Sequence, residues 1–223
     1  MFQENKLNLH YRNFELSNAG ELLNLVQKNP QLKGLNVTFP FKEQIIKYLS
    51  KIIGVAKEIE AVNVISIQNQ MLIGYNTDVD AFRMSLQKIL RNTNDTSSLI
   101  LGNGGASKAI QQALRQMHIP FQIVTRIKQK DNLTYDELNK DIMGNCNLII
   151  NTTPLGTFPH TDVCPEIPYN HLTREHLLYD LVYNPSETLF MKNGVKEGAR
   201  ISNGYDMLKI QAELTWKIWN QSE

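Results

Sequence analysis

Residues 99–106 read Leu99-Ile100-Leu101-Gly102-Asn103-Gly104-Gly105-Ala106. An unbroken apolar run stops at a cluster of glycines, and apolar positions then recur at helical spacing from Ala106 to Met117. A strand buried on both faces that turns straight into a helix produces this pattern. Working outward, 121–125, 148–151, 177–181 and 199–202 read as further strands. Between and after them, 135–143, 186–196 and 205–219 read as helices, with a long loop over 152–175. Helices between single buried strands imply a parallel sheet covered on both faces, an α/β fold.

The corner itself has a chemistry. A bound pyrophosphate approaches such a turn closely only where no Cβ intervenes, and the helix start supplies free N–H donors and a positive dipole end. Gly102, Asn103, Gly104, Gly105 and Ala106 are therefore a candidate dinucleotide cradle, against the plainer reading of a structural turn. The end of the next strand selects the cofactor. Val124-Thr125-Arg126-Ile127-Lys128 has no carboxylate for a ribose 2′-hydroxyl, and a guanidinium flanked by an ammonium suits a 2′-phosphate. NADP(H) is the expected cofactor; the alternative is that Arg126 and Lys128 are solvated loop charges.

Ahead of the turn the pattern is mixed. A strand is expected over 7–16 and a helix over 18–28. In Gly34–Lys42, Leu35, Val37 and Phe39 alternate with Asn36 and Thr38, and Pro40 suits a first helical position. A helix through Ile45, Ile46 and Tyr48 and a short one at 54–59 follow, then a hairpin of 61–67 with 71–75. Asn76-Thr77-Asp78 offers cap residues to a helix over 79–90, and 91–97 is a polar loop. A domain boundary is expected within 79–97.

Several polar groups in this half stand in apolar surroundings: Asn36, Thr38, Lys42, Asn63, Asn76 and Asp78, with Gln211 on the apolar face of the last helix. Each alone has a bland reading as an edge amide, a cap or a half-exposed side chain. Together they suit a hydroxylated ligand. Reduction of a carbonyl by hydride also needs a proton at the oxygen. Lys42 is the expected charged donor, with Asp78 orienting it.

Composition excludes other classes. The 223 residues are 42% hydrophobic and 20% charged with a formal net charge of +1, so no global field draws nucleic acid or an anionic membrane. No apolar run approaches a membrane span, and the first residues are not a signal peptide. Cys146 and Cys164 have no metal-ligand spacing and fit a reducing compartment, so cytoplasm is the expected location and no metal is expected. Among the five histidines there is no zinc-protease spacing, and His171 and His176 are expected as surface loop residues.

These segments, in order, resemble the shikimate dehydrogenase family. Asn36-Val37-Thr38-x-Pro40-x-Lys42 is similar to its N-V-T-x-P-x-K, Ala61-Val62-Asn63 to its A-V-N, and Asn76-Thr77-Asp78 to its N-T-D. Gly102–Ala106 is similar to its G-x-G-G-A phosphate turn, and Thr125-Arg126 stands where its N-R-T grips the 2′-phosphate. Asn151-Thr152-Thr153-Pro154-Leu155-Gly156, Asp180-Leu181-Val182-Tyr183-x-Pro185 and Gly204-x-x-Met207-Leu208-x-x-Gln211-Ala212 resemble its later motifs. The resemblance implies Lys42 and Asp78 as the catalytic pair, and Asn36, Thr38, Asn63, Tyr183 and Gln211 around the substrate. It implies cofactor contacts from Gly102, Asn103, Gly104, Gly105, Ala106, Thr125, Arg126, Asn151, Thr152, Leu181 and Gly204.

It also implies a fold and a reaction. The fold is an N-terminal mixed-sheet substrate domain over 1–85, a Rossmann-like NADP-binding domain over 86–204, and a helix over 205–223 that returns to the first domain. The reaction is the NADPH-dependent, reversible reduction of 3-dehydroshikimate to shikimate by a monomer or homodimer. One departure stands out: the family's first strand and a Ser-x-Ser element that holds the substrate carboxylate have no counterpart in this chain. The expectation is a truncated gene model or a relic with weakened carboxylate binding. The alternatives are a quinate or other polyol dehydrogenase, or a non-catalytic NADP-binding module.

Overall fold

The computed structural model describes residues 9–90 and 96–220. The chain forms α1 (Glu21–Lys28), β1 (Gly34–Asn36), α2 (Phe41–Gln44), a 3₁₀ turn, β2 (Lys51–Ile52), α3 (Val55–Ile59), β3 (Val64–Gln68) and β4 (Met71–Tyr75). The strands make a four-stranded sheet in the order β1-β3-β4-β2, antiparallel except for the β2–β4 pair. Asn69 and Gln70 close the β3–β4 hairpin with positive φ (49° and 64°), the twist that matches the flanking strands. Leu22, Ile45, Val62, Ile65 and Leu72 form the core of this sheet.

Next come α4 (Asp78–Gln87), β5 (Ser98–Leu101), α5 (Gly105–Gln116), β6 (Phe121–Thr125), β7 (Leu133–Thr134), α6 (Lys140–Asn145) and β8 (Leu148–Asn151). They are followed by β9 (Leu177–Asp180), α7 (Leu189–Lys196), β10 (Arg200–Asn203) and α8 (Tyr205–Asn220). These strands form a six-stranded sheet in the order β10-β9-β8-β5-β6-β7, parallel at every pair. Every residue of β5, β8 and β9 is buried, which is why each reads as a continuous apolar run. The chain leaves β5 toward β6 and returns on its other side at β8. That reversal opens a crevice at the carboxyl ends of β5 and β8.

One apolar core joins the two halves. Phe82 and Leu86 of α4, Ile110 and Leu114 of α5, and Met207 and Ile210 of α8 pack on one face of the parallel sheet. Phe82, fully buried, meets Tyr179 edge-on with ring centroids 5.0 Å apart, and the Tyr179 hydroxyl lies 2.7 Å from Ser85 Oγ. From its far end α8 reaches back to the first sheet, where Trp219 Nε1 donates to Ile65 O at 3.0 Å.

Three expectations fail. Residues 9–16 form no strand, and residues 7–8 lie outside the described ones. A strand needs a ladder partner about 4.8 Å away. These residues instead face the outer edge of β1 across a groove of about 1340 Å³, bridged by Asn36 Nδ2 donating to the Tyr11 hydroxyl at 3.0 Å. Phe39 does not continue the alternation of Leu35 and Val37. It is 76% exposed, because the chain has already turned, and Pro40 is the cap before α2 rather than its first residue. His176 is buried, not a surface loop residue. Its Nδ1 accepts from Thr173 N at 3.0 Å and its Nε2 faces Met143 O at 3.0 Å, so it pins β9 to the end of α6. The short strands β2 and β7 carry no period long enough to read.

Candidate active site

The site grows from the corner after β1. Val37 N still donates to Asn63 O at 2.8 Å, one residue beyond the strand, and Phe41 N then donates to Thr38 O at 2.9 Å to start α2. Lys42 is fixed by its own carbonyl, which accepts from Val62 N at 2.8 Å. Its Nζ reaches Asp78 Oδ2 at 2.6 Å, with the two side chains 18% and 8% exposed. A pair this sheltered is held by its partners, since loss of either leaves a charge with poor solvation.

Asp78 is the first residue of α4, and two amides set it there. Asn76 Oδ1 accepts from Asp78 N (2.9 Å) and Val79 N (3.3 Å), while Asn76 Nδ2 donates to Ala61 O (3.0 Å). Asn63 Oδ1 accepts from Thr77 N (2.8 Å), and Asn63 Nδ2 donates to Thr77 Oγ1 (3.0 Å). The 76–78 turn is thus clamped against the residues that lead into β3, and Asn63 keeps one amide hydrogen for another partner. Asn36 and Thr38 are exposed at the corner. Gln211, half-buried on α8, lies one turn from Thr215, whose hydroxyl is 3.5 Å from that of Thr77.

At the crevice, Gly102 takes φ +103°, and a Cβ there would lie 2.9 Å from Thr152 Oγ1. The turn is therefore restricted to glycine. Thr152 Oγ1 donates to Leu101 O at 2.7 Å, tying the end of β5 to the loop after β8. No side chain caps α5, so its first N–H groups stay free, and the space a Cβ would take on Gly104 is open. Asn103 is exposed, with Nδ2 3.4 Å from Gln129 Oε1. This turn fits a dinucleotide pyrophosphate.

At the end of β6, Thr125 Oγ1 donates to Ile127 O at 2.8 Å and Arg126 is exposed. Lys128 is drawn away from it. Its Nζ lies 2.5 Å from Glu137 Oε1, and Lys128 with Thr134 holds the Glu137 carboxyl down at about 2. Glu137 and Thr134 form a reciprocal cap on a 3₁₀ turn. The exposed guanidinium of Arg126 is left without that neighbour.

Asn151 is fully buried and faces inward, donating from Nδ2 to Asp180 Oδ1 at 2.9 Å and accepting from Thr153 N at 3.0 Å. Asp180 Oδ2 accepts from Thr188 Oγ1 at 2.6 Å, and Oδ1 accepts from Val182 N at 3.0 Å. Burial nevertheless pushes its carboxyl up to about 6. This node aims the loops after β8 and β9, on which the half-buried Leu181 and the exposed Tyr183 sit. A Cβ on Gly204 would strike Leu181 O at 2.2 Å, so β10 enters α8 hard against that loop. The sequence flags these residue types but not the node, because its members lie far apart along the chain.

The phosphate turn and the lysine meet: a Cβ on Gly105 would be 3.1 Å from Lys42 Cβ. A dinucleotide cradle set against a Lys–Asp pair on a second, mixed sheet defines a two-domain dinucleotide-dependent dehydrogenase. Residues 1–65 match the family model of the shikimate dehydrogenase substrate binding domain. The shikimate dehydrogenase (NADP(+)) of Methanococcus maripaludis is 39% identical over 206 residues, 85% of this chain and 72% of the relative. The chain belongs to the shikimate dehydrogenase family. Among solved structures, that from Aquifex aeolicus superposes with a TM-score of 0.87 at 32% identity, covering 100% of this chain and 85% of the other. A shikimate dehydrogenase crystallised with NADP+ superposes at 0.80 with 29% identity, covering 100% and 83%.

Proposed function

We propose that this chain catalyses the reversible, NADPH-dependent reduction of 3-dehydroshikimate to shikimate, a step of aromatic amino-acid biosynthesis. The observation that carries the reading is the 2.6 Å Lys42–Asp78 pair packed directly beneath the phosphate turn. The names of the relatives support the substrate and the cofactor.

When bound, NADPH supplies the hydride for the carbonyl carbon. Lys42 delivers the proton to the carbonyl oxygen and stabilises the charge that develops there, and Asp78 holds its ammonium in place. Asn36, Thr38, Asn63, Tyr183 and Gln211 orient the ring hydroxyls. Gly102 gives the turn its shape while its own N–H donates to Val124 O, and the free N–H groups over Asn103–Ala106 take the pyrophosphate, while Thr125 and Arg126 take the 2′-phosphate. Asn151, Thr152, Leu181 and Gly204 shape the loops beside the nicotinamide. In this reading residues 1–85 with 205–223 form the substrate domain and 86–204 the NADP domain, working in the cytoplasm as a monomer or homodimer. Among the described residues no helix is long and apolar enough to cross a membrane.

The test is direct. The purified chain is mixed with shikimate and NADP+ near pH 8, and nicotinamide absorbance is followed. The expected result is reduction of NADP+ that NAD+ supports far less well. No reduction, with NADP+ binding intact by calorimetry, overturns the enzymatic reading.

A further inference from the structure

The first turn of α5 touches the lysine-bearing helix at two points, and only one of them belongs to the phosphate cradle. Gly105 lies against Lys42, where a Cβ would be 3.1 Å from Lys42 Cβ and 3.8 Å from Glu43 Oε1. Lys108, three residues on and therefore on the same helical face, places Nζ 2.8 Å from Glu43 Oε2. One turn further, Gln112 Nε2 donates to Glu58 Oε2 of α3 at 2.9 Å. One edge of α5 thus carries a row of polar contacts onto α2 and α3, starting at the cofactor turn. Glu43 is the residue after Lys42, so a force on Glu43 acts on the helix that aims the lysine.

We propose that Glu43 and Lys108 are a closure pair, positioning residues that set the distance between the phosphate turn and the Lys42 ammonium. Neither contacts the reacting atoms. Their side chains are 44% and 33% exposed, so the pair is reachable by salt and individually modest. A modest contact is what a closure equilibrium needs, because domains that must reopen for product release cannot be locked. Gly105 then has a second role beside the cofactor. It lets the two helices approach closely enough for Lys108 to reach Glu43.

The catalytic consequence rests on the reading of Lys42 as the proton donor; the closure itself does not. Glu43→Lys, Lys108→Glu and the double swap are therefore compared by two readouts. The first is small-angle scattering of the intact chain, which reads domain separation without turnover. The second is the single-turnover rate with shikimate at saturating NADP+. Each single variant is expected to shift the scattering toward a more open form and to slow the hydride step by about two- to fivefold, the range of one exposed ion pair. The double swap is expected to restore both. Raising the salt concentration should slow the wild type and partly relieve the single variants, whose facing like charges it screens, so that the two converge. If the swap remains as open as the worse single variant, or if the single variants leave the scattering unchanged, the closure pair is refuted. If scattering responds as expected but no variant, wild type included, turns over, the closure stands and the enzymatic reading falls.

Discussion

The two sheets of this chain hold their carboxylates in opposite ways. On the mixed sheet, Asp78 sits at a helix start with an ammonium 2.6 Å away, in a corner that remains partly open to solvent. On the parallel sheet, Asp180 is fully buried at a strand end, where its partners are the neutral donors Thr188, Val182 N and Asn151. The first arrangement keeps a charge pair at a corner that solvent still reaches. The second spends a buried carboxylate on holding loops still. Surroundings follow the same division: β5, β8 and β9 are covered on both faces, whereas β1 has a strand on one side and a groove on the other.

Three experiments press on this contrast. Lys42→Ala should lower kcat about 10²- to 10⁴-fold while changing KM far less, the signature of a group acting in the transition state. Steady-state kinetics check this, and an unchanged kcat removes Lys42 from the chemistry. Phe82→Ala, in the shared core beneath Tyr179, should cost about 3–5 kcal/mol. Leu35→Ala, on the half-buried edge strand, should cost only about 1 kcal/mol. Paired urea titrations measure both, and equal losses would erase the difference between the sheets.

The third experiment uses pH. The Asp180 carboxyl is raised by burial from 3.8 to about 6. Its folded value lies above its unfolded one, so the native state holds this proton more tightly. The group's stabilising contribution is therefore fully present below pH 3.8 and is lost as pH rises through about 6. Compared with Asp180→Asn, the wild type should lose up to about 2–3 kcal/mol across that window. A stability difference that stays flat from pH 4 to 7 would show that the three donors offset the burial.

What the sequence disclosed follows the same physics. The central parallel strands β5, β8 and β9 were legible because burial on both faces leaves a nearly unbroken apolar run, and the Gly102–Ala106 turn follows directly from one of them. Asn36, Thr38, Lys42 and Asp78 were legible as misplaced polar residues, and chemistry alone suggested that Asp78 orients Lys42, whereas the bond from Asn36 to Tyr11 had no signal in the spacing. The strand expected over 7–16 misled, over its described residues 9–16, because apolar side chains such as Leu9, Tyr11 and Phe14 say nothing of a ladder partner. His176 misled because its cover comes from α6, far back along the chain. Lys128 was read as a phosphate partner, but Glu137 competes for it through a cap that depends on how β7 leads into its 3₁₀ turn.

The return of α8 to the first sheet has a consequence for the making of the protein. Thr215 and Trp219 support Thr77 and β3, yet they are translated after every strand of the parallel sheet. A ribosome finishing β4 and α4 has therefore produced a mixed sheet that lacks one of its supports. Domains that fold as contiguous units can settle as they emerge, but this one waits while an entire second sheet is synthesised. During that interval the apolar surface that will receive α8 is open to solvent.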